Sequence, residues 1–183
     1  MHRSLAFALA LAVSATAASA QPTASLPGGF AFTDWLTVNN APVGGGAVDD
    51  RDVVYFLKEK EIGGLQSWLI FFDPNGSQSV SGTVTFASSI VSLFTSTTDV
   101  TVTSAAYQLT PTVTYATDAA TGLEAADAAS FARNTLSFDW TASDPGDHVR
   151  VLTTVVPEPS TYALLATGLA VVVAMSRRRR LGA

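Results

Sequence analysis

Two apolar patterns run along this 183-residue chain. Val53–Leu57 and Trp68–Phe72 are unbroken apolar runs of strand length, rich in β-branched and aromatic residues. Elsewhere apolar and polar positions alternate. Val80, Gly82, Val84 and Phe86 alternate with Ser81, Thr83 and Thr85, Val100 and Val102 with Thr101 and Thr103, and Val113 and Tyr115 with Thr112 and Thr114. Leu136, Phe138 and Trp140 form a further alternating set, and His148–Val155 closes the series. Alternation with period two buries one face of a strand and wets the other, the habit of antiparallel sheets. Turn signals fall between these segments, at Gly63-Gly64, Asp73-Pro74-Asn75-Gly76 and Asp144-Pro145-Gly146-Asp147. The pattern predicts an all-β fold, an antiparallel β-sandwich of jelly-roll-like kind built from seven or eight short strands. One helix is expected, a short alanine-rich piece at Leu123–Phe131. Residues 21–30 and 39–47, rich in Pro and Gly, read as irregular surface segments, and no internal repeat of fixed period is visible.

The two ends follow other rules. Arg3, the apolar run Leu5–Val13 and the small-x-small site Ala18-Ser19-Ala20 are the three parts of a secretory signal peptide over residues 1–20, with cleavage set by Ala18 and Ala20. At the other end Pro157-Glu158-Pro159 precedes 17 uncharged residues, 160–176, and the cluster Arg177, Arg178, Arg179 and Arg180 follows. As a helix those residues reach about 26 Å, near the lower limit for a ~30 Å hydrocarbon core. Pro159 stands just ahead of the helix start, where proline is tolerated. The four arginines stop transfer and hold the C-terminus in the cytoplasm, with the body of the chain outside. Their place directly after an apolar span argues against a nucleic-acid patch. A GPI signal, which has a longer polar spacer and an apolar end, fits less well.

The order Val-Pro-Glu-Pro-Ser-Thr, short apolar helix, arginine cluster resembles the PEP-CTERM sorting signal of exported Gram-negative proteins, and residues 156–183 carry the resemblance. Pro157, Glu158 and Pro159 match the family tripeptide one by one. The resemblance implies recognition by exosortase, a membrane-embedded transpeptidase-like enzyme, cutting near this motif, with release or re-anchoring at the cell surface. It also implies a link to exopolysaccharide and biofilm. Physically, an extended Pro-x-Pro is a conformation that a membrane protease binds at low entropic cost. Residues 53–58, 66–76 and 145–152 are similar to the ectodomain that precedes this tail in other members, which implies an extracytoplasmic domain of unassigned chemistry.

Charge and composition narrow the mature body, residues 21–155. Five Lys and Arg face fourteen Asp and Glu there, a net charge of −9 that the whole-chain value of −5 conceals. An acidic surface disfavours nucleic acid as a partner. The absence of cysteine excludes a disulfide framework, a thiolate metal site and a thiol nucleophile. About two-thirds of the unfolded surface of such a body is buried on folding, enough for a core held by packing alone.

Candidate chemistry in the body is sparse. His148 is the single histidine left after signal removal, and beside Asp147 on a strand the two side chains point to opposite faces. No G-x-S-x-G elbow is present, so His148 reads as a surface residue at a strand start, and histidine-based hydrolysis is disfavoured. A glycosidase pair among fourteen acids carries no weight by its presence alone. Asp49, Asp50 and Asp52, and Asp144 with Asp147, are weak calcium candidates because hard oxygen ligands gather in loops at strand ends. Turn chemistry explains the same residues, and an ion pair of Arg51 with one of the acids would remove the need for a metal. The Thr-x-Thr pairs read as ordinary exposed strand faces. Of the aromatics that could form a sugar-stacking platform, Trp68, Trp140, Phe71 and Phe72 are expected in the core, and Trp35 is the candidate for exposure.

The sequence therefore reads as a signal peptide, a β-sandwich ectodomain, and a sorting signal with a single short C-terminal transmembrane helix. Expected partners are the secretion translocon, exosortase, the membrane before processing, and exopolysaccharide. The expected route runs transiently through the inner membrane to the cell surface or beyond. A non-enzymatic structural or adhesive role is the first reading, with no catalytic residue and no cofactor. A carbohydrate-binding module, with calcium as an aid, is the second, and a glycan hydrolase the third.

Overall fold

The computed structural model describes residues 20–38, 42–43, 48–115, 121–155 and 166–172. Among the described residues of the body, nine strands and two helices occur, in the order β1 (Thr23–Ser25), β2 (Ala31–Asp34), α1 (Trp35–Val38), β3 (Val53–Ile62), β4 (Leu65–Phe72), β5 (Gln78–Thr85), β6 (Ile90–Phe94), α2 (Thr97–Tyr107), β7 (Ala128–Ala132), β8 (Thr135–Ala142) and β9 (Asp147–Thr154). The strands form two sheets, one ordered β1-β5-β8-β7 and the other β2-β3-β4-β9-β6.

Side chains from both sheets meet in one core. Val54, Phe56, Trp68, Ile70, Phe72, Val149 and Val151 of the five-stranded sheet pack with Val80, Val84, Leu136, Phe138 and Trp140 of the four-stranded one. This is the all-β sandwich the alternation predicts. It departs from a purely antiparallel, eight-stranded jelly roll, because four and five strands are present and β2 runs parallel to β3. The short helix α1 directly after β2 turns the chain away, so the two strands are not joined as a hairpin.

The two apolar patterns have different causes. On the four-stranded sheet β8 reads intermediate then buried–exposed alternately along its length, since its outer face meets water. The five-stranded sheet is covered on both faces. Its far side carries Tyr55, Leu57, Leu69 and Phe71, which pack with Trp35, Val43, Val48, Val100 and Val113 from α1, α2 and the connecting segments. Strand segments buried on both faces need no polar side, and this is why Val53–Leu57 of β3 and Trp68–Phe72 of β4 are unbroken runs. Trp35, expected at the surface, is 1% exposed beneath that cover, edge-on to Tyr55 and Phe71.

Four segments differ from their predicted form. The Val-Thr alternation at 100–103 is part of helix α2. Ser96 caps it by accepting from the Asp99 N–H at 3.1 Å while its hydroxyl donates to the Asp99 carboxylate at 2.8 Å. A strand would put Val100 and Val102 on one face, whereas in the helix Val100 is 5% exposed and Val102 71%. Residues 110–112 form a turn and Val113 a bend, with Tyr115 in an isolated bridge to Val43. The predicted helix at Leu123–Phe131 is a turn followed by β7, whose residues pair with β8 across the two-residue connection Arg133-Asn134. Within the stretch expected to be irregular at 21–30, residues 23–25 pair with β5. The Gly63-Gly64 turn is as expected, both residues having positive φ, the demand of a tight type I′ hairpin.

Residues 20–156 form one compact unit. Of the terminal segments only 166–172 is described, and it is helical and exposed. Among the described residues no helix is long and apolar enough to cross a membrane. Most of the predicted span over 160–176 lies outside the described residues, as does the signal peptide up to residue 19.

Candidate functional site

β9 positions the two polar features of the body. Its residues alternate between faces, Val149 and Val151 entering the core between the sheets while His148 and Arg150 point to the far face beneath α1 and α2. Asp147, opposite Phe72 in the register, lies on the inter-sheet side at the strand's start. Asp147 and His148 thus diverge, and no Asp–His pair forms.

His148 is 3% exposed rather than at the surface, with its ring edge-on to Phe71 at 5.4 Å. The dense cover over the far face closes on it, which a strand-start position does not reveal. Burial and then the nearby Arg150 charge lower its pKa to about 4, so it stays neutral. Its Nε2 has no hydrogen-bond partner among the described residues.

Arg150, 0% exposed, is the organising cation. Its Nε donates to Glu59 Oε2 at 2.7 Å and one Nη2 hydrogen to Glu59 Oε1 at 3.1 Å. Nη1 donates to the Val100 carbonyl and the Thr103 hydroxyl, both at 2.6 Å, and Nη2 to the Ser104 hydroxyl at 3.2 Å. All five guanidinium donors are engaged, two on β3 and three on α2. Glu59 also accepts from Ser67 at 2.6 Å. This cluster fastens α2 to the sheet. It could not be read from the sequence, because its ion pair joins residues 91 positions apart.

The acids come together elsewhere than expected. Among the described residues, Glu124, Asp127 and Asp147 each place a carboxylate oxygen within 4.8 Å of the others. Asp127 is fixed by two backbone donors, Thr141 N–H at 2.7 Å and Glu124 N–H at 3.2 Å. Asp147 is 1% exposed, and neither of its oxygens receives a hydrogen bond. At an effective dielectric near 20, two full charges at that distance repel by about 3.5 kcal/mol. Burial, contact with the Glu124 carboxyl and the charges of Asp127 and Glu124 push the Asp147 pKa up to about 8. A proton or a cation relieves such a site.

The other calcium candidates do not gather. Asp144 is exposed and outside the cluster, because the turn at Gly146 directs Asp147 inward and leaves Asp144 in solvent. Asp50 accepts from the Tyr55 hydroxyl, whose pKa rises through burial and that bond. Asp49 sits in a left-handed turn conformation at φ 55°, and Asp52 is exposed. Arg51 donates to the Gln78 side-chain oxygen at 3.1 Å rather than to an acid. Here turn chemistry accounts for the residues. A groove of about 530 Å³ between the β1 and β2 edges is lined by Phe32, Phe56, Thr23 and Thr37, with Asp34 its one carboxylate.

The remaining surface of note is the outer face of the four-stranded sheet. Register pairs Ser79 with Thr141, Ser81 with Asp139, Thr83 with Ser137 and Thr85 with Thr135. Ser79 and Thr141 are hydrogen-bonded at 2.9 Å. Only the first Thr-x-Thr pair, Thr83 and Thr85, belongs to this face. None of the five aromatics weighed for sugar stacking lies on it, since all are at most 4% exposed.

Fold and surface define an acidic β-sandwich without a described catalytic constellation, and the tail supplies what places it in a class. Residues 155–180 match the model of the PEP-CTERM protein-sorting motif. The chain therefore carries a PEP-CTERM sorting motif, the mark of exported proteins processed by exosortase and sorted toward the cell surface. Pro157, Glu158, Pro159 and Arg177–Arg180 fall within the match, although their geometry lies outside the described residues. No curated protein matches the chain, and no solved structure does.

Proposed function

We propose that the chain is a non-enzymatic surface or matrix protein. It crosses the inner membrane with its C-terminus held in the cytoplasm, and exosortase then processes it at the Pro157-Glu158-Pro159 segment. The observation that carries this reading is the sorting-motif match over residues 155–180. The mature body acts by its surface, as a structural or adhesive element of an exopolysaccharide-containing matrix. The net charge of −9 over residues 21–155 supports solubility in such a matrix.

A carbohydrate-binding role is the second reading. The hydroxyl rows of β5 and β8, interrupted only by Asp139, favour it, because a neutral glycan offers matching donors and acceptors. Replacing Pro157-Glu158-Pro159 with three alanines tests the first reading. Export continues, signal cleavage is normal, and the C-terminal part stays attached by intact mass. A mature mass and location equal to wild type would contradict the sorting role. Binding of a neutral polysaccharide panel, lost on changing Thr83 and Ser137 to Lys, would favour the second reading for the mature body.

A further inference from the structure

We infer that Glu124, Asp127 and Asp147 form a calcium-binding site at the start of β9. The cluster alone would say little, since acidic side chains often neighbour each other in loops. The second observation is Asp147 itself. Its side chain is 1% exposed, both oxygens lack a hydrogen-bond donor, and one oxygen points into the cluster. A buried carboxylate without donors is rare in folded proteins and asks for a missing partner.

The geometry suits a cation of calcium's size. Calcium binds oxygens at 2.3–2.6 Å, so ligands on opposite sides of the ion stand up to about 5 Å apart. The three carboxylate oxygens lie within 4.8 Å of one another. The donor set has no imidazole and no thiolate, which selects a hard cation over zinc or copper. The burial is graded, with Asp147 inside, Asp127 half-buried and Glu124 exposed, and this leaves an entry path for a hydrated ion. Asp127 is already oriented by Thr141 and Glu124 N–H groups, so little ordering is left for binding. Water and backbone carbonyls would complete the six to eight ligands that calcium takes. The inference is independent of the sorting reading, because it rests on the body alone.

The test uses the full chain in mild detergent, stripped with a chelator and titrated with CaCl₂ by calorimetry, with MgCl₂ in parallel. The expected result is one-site binding with Kd at about 10⁻⁴–10⁻³ M, the range of extracellular calcium modules. At 10 mM CaCl₂ the melting temperature should rise by about 4–10 °C. Glu124→Gln, at an exposed position that the fold tolerates, should weaken binding by at least about tenfold, and Asp147→Asn should do the same. No heat and no melting shift with calcium would overturn the site and leave a carboxyl pair sharing a proton. A calcium response unchanged in both variants would also overturn it, by placing the ion elsewhere. An equal response to magnesium would overturn the assignment to calcium.

Discussion

Replacing Arg150 with Met removes the cation that joins β3 to α2 while keeping a long apolar stem in its place. Glu59, 4% exposed, is then left with the Ser67 and Tyr115 hydroxyls and without its cation. Breaking a buried ion pair by removing one partner costs about 3–5 kcal/mol, chiefly through the uncompensated charge. Domains of this size have about 5–15 kcal/mol in all, so the loss is a large share of stability. In melting temperature it corresponds to a fall of about 10–20 °C. Urea unfolding followed by tryptophan fluorescence reads it directly, since Trp35, Trp68 and Trp140 are 1%, 4% and 0% exposed and all report the core. Glu59→Leu/Arg150→Met removes the stranded carboxylate as well. Thr103 and Ser104 still have backbone acceptors, at Asp99 and Val100, so α2 retains its own bonds. The double variant should therefore recover to within about 2 kcal/mol of wild type. If the single variant loses less than about 1 kcal/mol, or the double is as unstable as the single, the clamp is not an energetic unit and the reasoning fails.

Two further outcomes follow from the same cover and its anchorage. His148 has a folded pKa of about 4 against 6.5 unfolded. Between those values the unfolded chain takes up a proton that the folded chain refuses, so its contribution is complete above pH 6.5 and falls as pH drops toward 4. Relative to His148→Leu, wild type should lose about 3 kcal/mol across that window; comparison with the variant cancels the opposite trend of Asp147, whose raised pKa favours the fold at low pH. Equal pH profiles would show that His148 is not buried neutral. At Gly122, a Cβ would stand 2.1 Å from the Thr97 nitrogen and 2.6 Å from the Ser96 carbonyl carbon. Gly122→Ala should cost about 2–3 kcal/mol or more in urea unfolding, because backbone atoms cannot yield as a side chain can; a neutral substitution would mean that the 121–124 segment does not pack on the start of α2.

Sheet architecture was readable wherever burial writes a period into the chain. β5 and β8 alternate because one face is wet, and β3 and β4 run apolar because a second layer covers them. The misreadings have local causes. At α2 the threonine–valine alternation suggests a strand, yet the Ser96 cap and the docking of Val100 decide the conformation. At β7 alanine content suggested a helix, but pairing with β8 across Arg133-Asn134 is a tertiary contact that composition cannot express. The candidate site was half visible. Asp147 stands out in the sequence as a candidate ligand, whereas its neighbours Glu124 and Asp127 approach through a loop some twenty residues upstream. Burial of Arg150 and His148 was hidden for a similar reason, since the lid over them is assembled from α1, α2 and irregular segments. The tail was the most informative region because its message is linear: a sorting enzyme reads consecutive residues, so no fold is needed to bring them together.

The position of β9 has a consequence for export. It lies between β4 and β6, contributes Val149 and Val151 to the interior, and carries Arg150 to its partners. It is also the last strand of the body, ending at Thr154, just before the sorting motif begins. A chain threaded from its N-terminus therefore lacks the keystone of its larger sheet until almost the whole of it has passed through. On the proposed export route this delay would keep the polypeptide pliable during passage, with the fold completed as the sorting motif arrives. Trimming has a matching boundary: scission beyond residue 155 spares the sandwich, whereas scission before Asp147 withdraws the strand between β4 and β6 and dismantles the larger sheet.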